Sequence, residues 1–316
     1  MTVTMQNFGH KFISGAFEEI YDACDISFQQ LVTLEQFSEM GQQYNEGIES
    51  YEVYVQNEFL GMRQTVWLCN QKQRAILVAF QGDTIVSIYL KPLQTYPTTD
   101  KVYTKNKYRL PFNDDWFVFW GGTNEFVNYH YAYETQRYAY DFVKVENDQT
   151  FTDTPNNNEN YYAFGADVVA PFSGTVITVV DGFKDNVPGE MDAENPGGNY
   201  IVIAHPNNEY SFLAHFKQGS ICVKVGDVVK EGQLLGQCGN SGNSSEAHIH
   251  YHVMDGVDFE TATSIRIQFK GDIEPLQGDT VKPIQSPELF DKVENTLTIT
   301  DFLLFIPRMI GQYFKG

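Results

Sequence analysis

Over the first ninety residues the apolar positions change period once. Ile13, Phe17, Ile20, Tyr21 and Cys24 recur at helical spacing across residues 9–25 and predict an amphipathic helix. A second helix is predicted from Thr33. There the quartet TLEQ sets Gln36 three residues after a threonine, so each side chain can bond the other's backbone N–H. The runs YEVYV, RQTVWLC, AILVAF and TIVSIYL then replace the helical period with short β-rich stretches, and QGD at 81–83 supplies a hairpin turn between the last two. Two helices followed by a four-stranded meander predict a small α+β domain over residues 1–92. Residues 93–110 are mostly polar and carry no apolar period, which reads as a linker. From residue 111 to 285 the texture is mainly β: GTVITVV, NYIVIAH, YSFLAHF and ICVKV stand between Gly, Asn and Pro turns, and no helix is expected between about residues 115 and 256.

Composition narrows the function classes. The 316 residues are 42% hydrophobic and 15% aromatic, enough for a buried core in each part. The net charge of −20 repels nucleic-acid phosphates and anionic membrane faces, so nucleic-acid binding is not expected. Cys24, Cys69, Cys222 and Cys238 form no CxxC pair, which argues against a cysteine zinc site. Reduced thiols are expected. A Cys222–Cys238 disulfide is the alternative and requires closely spaced Cα atoms.

No signal peptide is read at the start of the chain, and no apolar run reaches a membrane span. The expected location is therefore cytoplasmic, or outside the cell by an unconventional route. The final part, residues 286–316, ends in TDFLLFIPRMIGQYFKG. This reads as a short apolar helix that docks on the protein body or at an oligomer contact, with interfacial membrane anchoring as the rival reading.

Candidate chemistry concentrates in the β part, which holds six of the seven histidines. The stretch EAHIHYHVMDG puts His248, His250 and His252 at every second position. On a strand all three share one face, whereas on a helix neighbours two apart diverge. One imidazole can then meet a metal while its neighbour stands beside the reacting water. Two other segments offer partners: NYHYAYETQRYAYDFVKV, with His130 and, ten intervening residues later, Asp141, and YSFLAHF, with His215. Ionisable groups inside apolar runs are rarely buried without a partner.

Taken together these motifs resemble the lysostaphin-like and beta-lytic zinc metallopeptidases, which cut peptidoglycan peptides. The closing segment GQLLGQCGNSGNSSEAHIHYHVMDG is similar to the family's Gly-rich turn, Asn-x-Gly signature and His-x-His ending. FGADVVAPFSGTVITVVDG, GGNYIVIAHPNNEYSFLAHF and VKVGDVVKEGQLLG resemble its β-core in order, so that the likeness covers roughly residues 108–285. It implies an antiparallel, duplicated-hybrid-motif-like fold. It also implies Zn2+ held by His130, Asp141 and His250, with His215 and His248 as catalytic histidines beside it.

Most members separate the first histidine and the aspartate by three residues. Here that position is Arg137, which cannot bind zinc, and His130 takes the role through a longer spacer. The implied activity is a zinc endopeptidase acting on peptidoglycan. An inactive scaffold that kept the fold and an intracellular peptidase are the alternatives. The N-terminal domain looks like the cystatin/NTF2-like accessory domains. It offers no ligand or base besides His10, so it is expected to be dispensable for the chemistry. His252 is expected to be a polar neighbour of the site, and His205 to be structural. The acidic loop at residues 181–199 is either a solvated surface or a wall of the substrate groove.

Overall fold

The computed structural model describes residues 2–284. The expected C-terminal helix lies outside the described residues.

The first part begins with four helices, α1 (Phe8–Ile13), α2 (Phe17–Asp22), α3 (Ile26–Leu31) and α4 (Leu34–Asn45). The single helix expected over 9–25 is thus two, because Gly15 takes a φ of +77° between them, a backbone angle that ends a right-handed helix. At α4 the capping box is complete. Thr33 Oγ1 accepts from Gln36 N at 3.2 Å, and Gln36 Oε1 accepts from Thr33 N at 3.0 Å.

Strands β1 (Tyr51–Phe59), β2 (Met62–Cys69), β3 (Arg74–Gln81) and β4 (Thr84–Pro92) come next as an antiparallel meander in the order β1-β2-β3-β4. The β3–β4 turn is the two-residue Gly82–Asp83, with Gln81 opposite Thr84. Alternation along β3 sends Ile76, Val78 and Phe80 toward the helices, where they pack with Phe8, Phe12, Phe17 and Phe37. The opposite face packs elsewhere: Val66 and Ala75 join Leu93 and Phe126 in a separate buried cluster.

That cluster ties the first part to the β-rich second part. Asn57 Nδ2 donates to Gln277 O at 2.7 Å, and the Phe59 ring meets those of Phe117 and Phe119. Residues 93–110, expected as a linker, instead contain β5 (Tyr103–Tyr108), which pairs in parallel with β15 (Ser264–Phe269). Its Tyr108 is fully buried and donates to the Glu209 carboxylate at 3.0 Å. A strand with its ladder partner some 160 residues away cannot be read from local polarity.

The remaining strands are β6 (Trp116–Trp120), β7 (Tyr140–Val143), β8 (Asp167–Val169), β9 (Gly174–Val180), β10 (Tyr200–His205), β11 (Glu209–Ala214), β12 (Val228–Val229), β13 (Leu234–Gln237), β14 (Ile249–Met254) and β16 (Thr280–Val281). The main sheet runs β12-β9-β10-β11-β14-β7-β6-β16, and β13 pairs with β8 in a small second sheet. Apart from the β5–β15 pair, the described ladders of both sheets are antiparallel. Between residues 115 and 256 the only helical turns described are short 3₁₀ segments. Ile201, Leu213, Phe216, Leu235, Ile249 and Tyr251 fill the core of this part. The four cysteines are free. Cys222 is exposed and Cys238 is buried.

Candidate active site

Sheet register brings the ionisable groups together. In the ladders around β14, His250 stands opposite Asp141 of β7 on one side and Ala214 of β11 on the other. One row across three strands therefore carries Asp141, His250 and the residue just before His215. Every residue of β14 is buried, so its alternating face is fixed by packing on both sides.

His130 enters from a 3₁₀ turn, Tyr129–Ala132, capped by Asn128. The Asn128 amide nitrogen donates to three carbonyls, those of Gly122, Arg137 and Ala139. Its Oδ1 must then face the turn, where it accepts from His130 N at 3.2 Å and lies 2.8 Å from His130 Nδ1. The acceptor sets the tautomer, with the proton on Nδ1 and a lone pair on Nε2. Nε2 is buried, lies 3.4 Å from Asp141 Oδ2 and has no hydrogen-bond partner. Burial pushes the His130 pKa down to about 3, keeping the ring neutral.

Asp141 is 4% exposed. Burial alone would raise its pKa, but the contacts with His130, His248 and His250 outweigh it and hold the carboxyl below the usual carboxylate range. His250 Nδ1 lies 2.9 Å from Asp141 Oδ1, and His250 Nε2 lies 2.9 Å from His252 Nδ1. The ligand atoms of His130, Asp141 and His250 all fall within 4.8 Å of one another. Two imidazoles and one carboxylate, buried, with one ring nitrogen orphaned, form a donor set that fits a divalent metal ion.

The other two expected residues adjoin this group. His215 directly follows β11 and has a φ of +70°, a strained angle for a residue with a side chain. Its Nδ1 lies 2.8 Å from Ser241 O, and His248 Nδ1 lies 2.9 Å from Glu246 O. Both rings thus give their Nδ1 proton to a carbonyl and present Nε2 outward. Their centroids are 4.6 Å apart, and His248 Nε2 is 3.7 Å from Asp141 Oδ1. Burial, then the charge of His248 and His250, keeps the His215 pKa well below its ordinary value.

Arg137 lies apart from the group. Its Nε donates to Tyr131 O at 3.1 Å, and its guanidinium covers the Tyr96 ring at 3.4 Å. His205 bonds Ser173 O and Ser211 Oγ, and His10 is exposed.

Open space flanks the group. One cleft, of about 390 Å³, is bordered by Tyr133, Gly197, Phe212, His215 and His250. Another, of about 260 Å³, is bordered by Trp120, Met191, Glu246 and His248. Tyr129 borders both and stacks on His130 with ring centroids 3.9 Å apart.

The acidic loop meets the site in two ways. Much of it is exposed, yet Met191 edges the second cleft and Asn186 Nδ2 donates to Gly242 O and Ser244 O. Sequence reasoning missed Asn128 and Asn199. Asn199 is fully buried and ties Gly182, Phe183 and Phe216 together through its amide. For Asn128 a signal existed, an asparagine one residue before a helical turn. For Asn199 every partner is remote or irregular, and no local signal exists.

The close crossing of this loop with the turn before His248 depends on glycine. Gly242 has a φ of +81°, and a Cβ there would lie 2.4 Å from Gly198 N and 2.9 Å from Asn195 O. Gly242→Ala is expected to destabilise the protein by roughly 2–3 kcal/mol through overpacking and backbone strain. A shift of the urea midpoint with unchanged slope checks this.

Similarity to a known family falls in the second part of the chain, where residues 160–262 match peptidase family M23. A metalloprotease of Buchnera aphidicola that is itself uncharacterized is 33% identical over 31% of this chain and 25% of its own length. Peptidoglycan DD-endopeptidase ShyA of Vibrio cholerae is 34% identical over 27% of this chain and 21% of its own. The chain thus spans a quarter or less of these curated relatives.

Among solved structures, the catalytic domain of lysostaphin from Staphylococcus simulans is 24% identical, covers 37% of this chain and 85% of its own, and superposes with a TM-score of 0.24. A zinc-containing peptidase from Vibrio cholerae is 19% identical and covers 61% and 55%, with a TM-score of 0.27. His215, His248 and His250 fall inside the matched segment, and His130 and Asp141 precede it. Over residues 160–262 the chain is thus similar to the peptidases of family M23.

Proposed function

We propose that the chain is a zinc-dependent endopeptidase that hydrolyses peptide bonds in peptidoglycan. The observation that carries this reading is the buried group of His130, Asp141 and His250, in which His130 Nε2 has no other partner. The family match and the endopeptidase names of two relatives support the substrate class.

In this proposal His130, Asp141 and His250 hold the metal, with one carboxylate offsetting part of its charge. Bound there, the ion would supply Lewis acidity that polarises a peptide carbonyl and acidifies a water molecule. Asn128 fixes His130 with Nε2 toward the site. His250 would present Nδ1 and donate its Nε2 proton to His252 Nδ1, which fixes its tautomer.

His215 and His248 carry the proton transfer. Each has its Nδ1 against a backbone carbonyl, which leaves each Nε2 to accept a proton from water. Once protonated, the same Nε2–H can donate to the oxyanion and then to the leaving amine. No other general base is required of the site.

The filled set of five residues favours this reading over a catalytically silent scaffold. The division into an α+β accessory part over 1–92 and a peptidase part over 111–285 belongs to the same proposal.

The test is metal content. Protein purified without chelator should carry about one zinc per chain by elemental analysis, on the stoichiometry of a three-ligand catalytic site. A ratio near zero that added zinc does not restore overturns the proposal.

A further inference from the structure

A third cleft, of about 490 Å³, lies where the β1–β4 sheet meets the peptidase part, and no step of the proposed hydrolysis uses it. It shares Tyr129 and Tyr133 with the cleft beside His250, and Tyr129 and Trp120 with the cleft beside His248. It therefore adjoins both clefts of the candidate active site. Its far wall comes from the first sheet, through Gln64, Tyr89 and Lys91.

Two features specify an occupant. The first is aromatic surface held open to solvent: Tyr89 is 53% exposed, Tyr129 43% and Tyr133 55%. Tyr89 is held edge-on by Phe126, and Tyr129 by Trp120, so these rings are fixed rather than free to collapse. The second is a pair of orphaned acceptors. Gln64 is 8% exposed and its Oε1 has no hydrogen-bond partner. The Glu125 side chain is 6% exposed; its Oε2 pairs with Lys91 Nζ, while its Oε1 has no partner. Buried acceptors without donors are uncommon in folded proteins and point to a missing donor group.

Donors border the cleft as well, in the hydroxyls of Ser87, Tyr89, Tyr129 and Tyr133, and two further donors there are engaged. Lys91 Nζ is held by Glu125, and Gln277 Nε2 donates to Phe119 O. A saccharide carries donors and acceptors on one ring with apolar faces between them, and so meets both the polar groups and the aromatic surface of this lining. Its hydroxyls can donate to Gln64 and Glu125 while their remaining lone pairs face water, and its apolar C–H faces can lie on the tyrosine rings. We infer that this cleft binds the glycan strand of peptidoglycan, so that the first part of the chain positions the sugar backbone while the peptide reaches His248 and His250. The inference rests on the peptidoglycan reading of the active site for the identity of the glycan, and its test does not depend on turnover.

The full chain is titrated with a soluble oligomer of N-acetylglucosamine carrying no peptide, following tryptophan fluorescence and heat of binding. Saturable binding is expected, weakened about tenfold or more in Tyr89→Ala and in Gln64→Ala, as loss of one stacked ring or one hydrogen-bonded acceptor implies. Circular dichroism and metal content establish that each variant is folded. No saturable binding, or binding that both folded variants retain, overturns the inference. So does tighter binding of a sugar-free stem peptide that is lost in Tyr89→Ala, which would make the cleft a peptide site. Saccharide binding in a chain that holds no zinc would support the cleft and sink only the hydrolytic reading.

Discussion

Asp141→Ala and His250→Ala will each be purified with little or no metal and will show turnover lowered by about three orders of magnitude or more. Asp141 is the hub of the group: its Oδ1 lies 2.9 Å from His250 Nδ1, and its Oδ2 lies 3.4 Å from His130 Nε2. Without it, two imidazoles remain, and a dication in a buried site has no counter-charge. Without His250, the set drops to two ligands. His130→Ala should show the same pattern. Arg137→Ala should keep its metal, because that guanidinium is committed to Tyr131 O and the Tyr96 ring. Elemental analysis beside steady-state rates on one preparation decides the matter. Metal retained at full stoichiometry in Asp141→Ala would show that the ion sits elsewhere.

A different split is expected for the neighbouring pair. His248→Ala and His215→Ala should keep close to wild-type metal and lose about 10²–10⁴-fold in kcat, the usual contribution of a positioned general acid or base. The basis is orientation: both Nδ1 atoms are engaged by backbone carbonyls, and neither ring belongs to the three-residue donor group. If His248→Ala strips the metal and His250→Ala does not, the roles within the His-x-His pair are exchanged. His215 is the more delicate variant, since its φ of +70° strains alanine as well as histidine. A thermal melt should accompany its kinetics, so that a fold defect is not read as a chemical one.

How far the sequence foretold this arrangement depends on the range of the forces involved. Period-two alternation is local, so the common face of His248, His250 and His252 was legible from a single short segment. The capping box at Thr33 was legible for the same reason, because both its bonds close within three residues. The helix over 9–25 was read too long because apolar spacing persists across Gly15 while the backbone does not. The strand at 103–108 was hidden because its polar letters pair with a ladder partner far along the chain. The cap on His130 and the amide hub at Asn199 depend on atoms assembled by the folded sheet. His252 was expected as a polar neighbour and lies against His250 Nε2. Its own Nε2 is buried without a partner, and no pattern in the letters indicates that.

The buried cluster of Val66, Ala75, Leu93 and Phe126 has a bearing on how variants of this protein should be sorted. It joins the meander to the segment that leads into the His130 turn, so the two parts do not hold their stability independently. A change that loosens β2 or β3 weakens the support beneath Phe126, four positions before a candidate ligand. In a random-mutagenesis screen scored by loss of activity, silent clones would then scatter across the first ninety residues as well as the cleft. Reading that scatter as a map of residues that touch substrate would misplace the active site; expression level and metal content measured clone by clone would restore it.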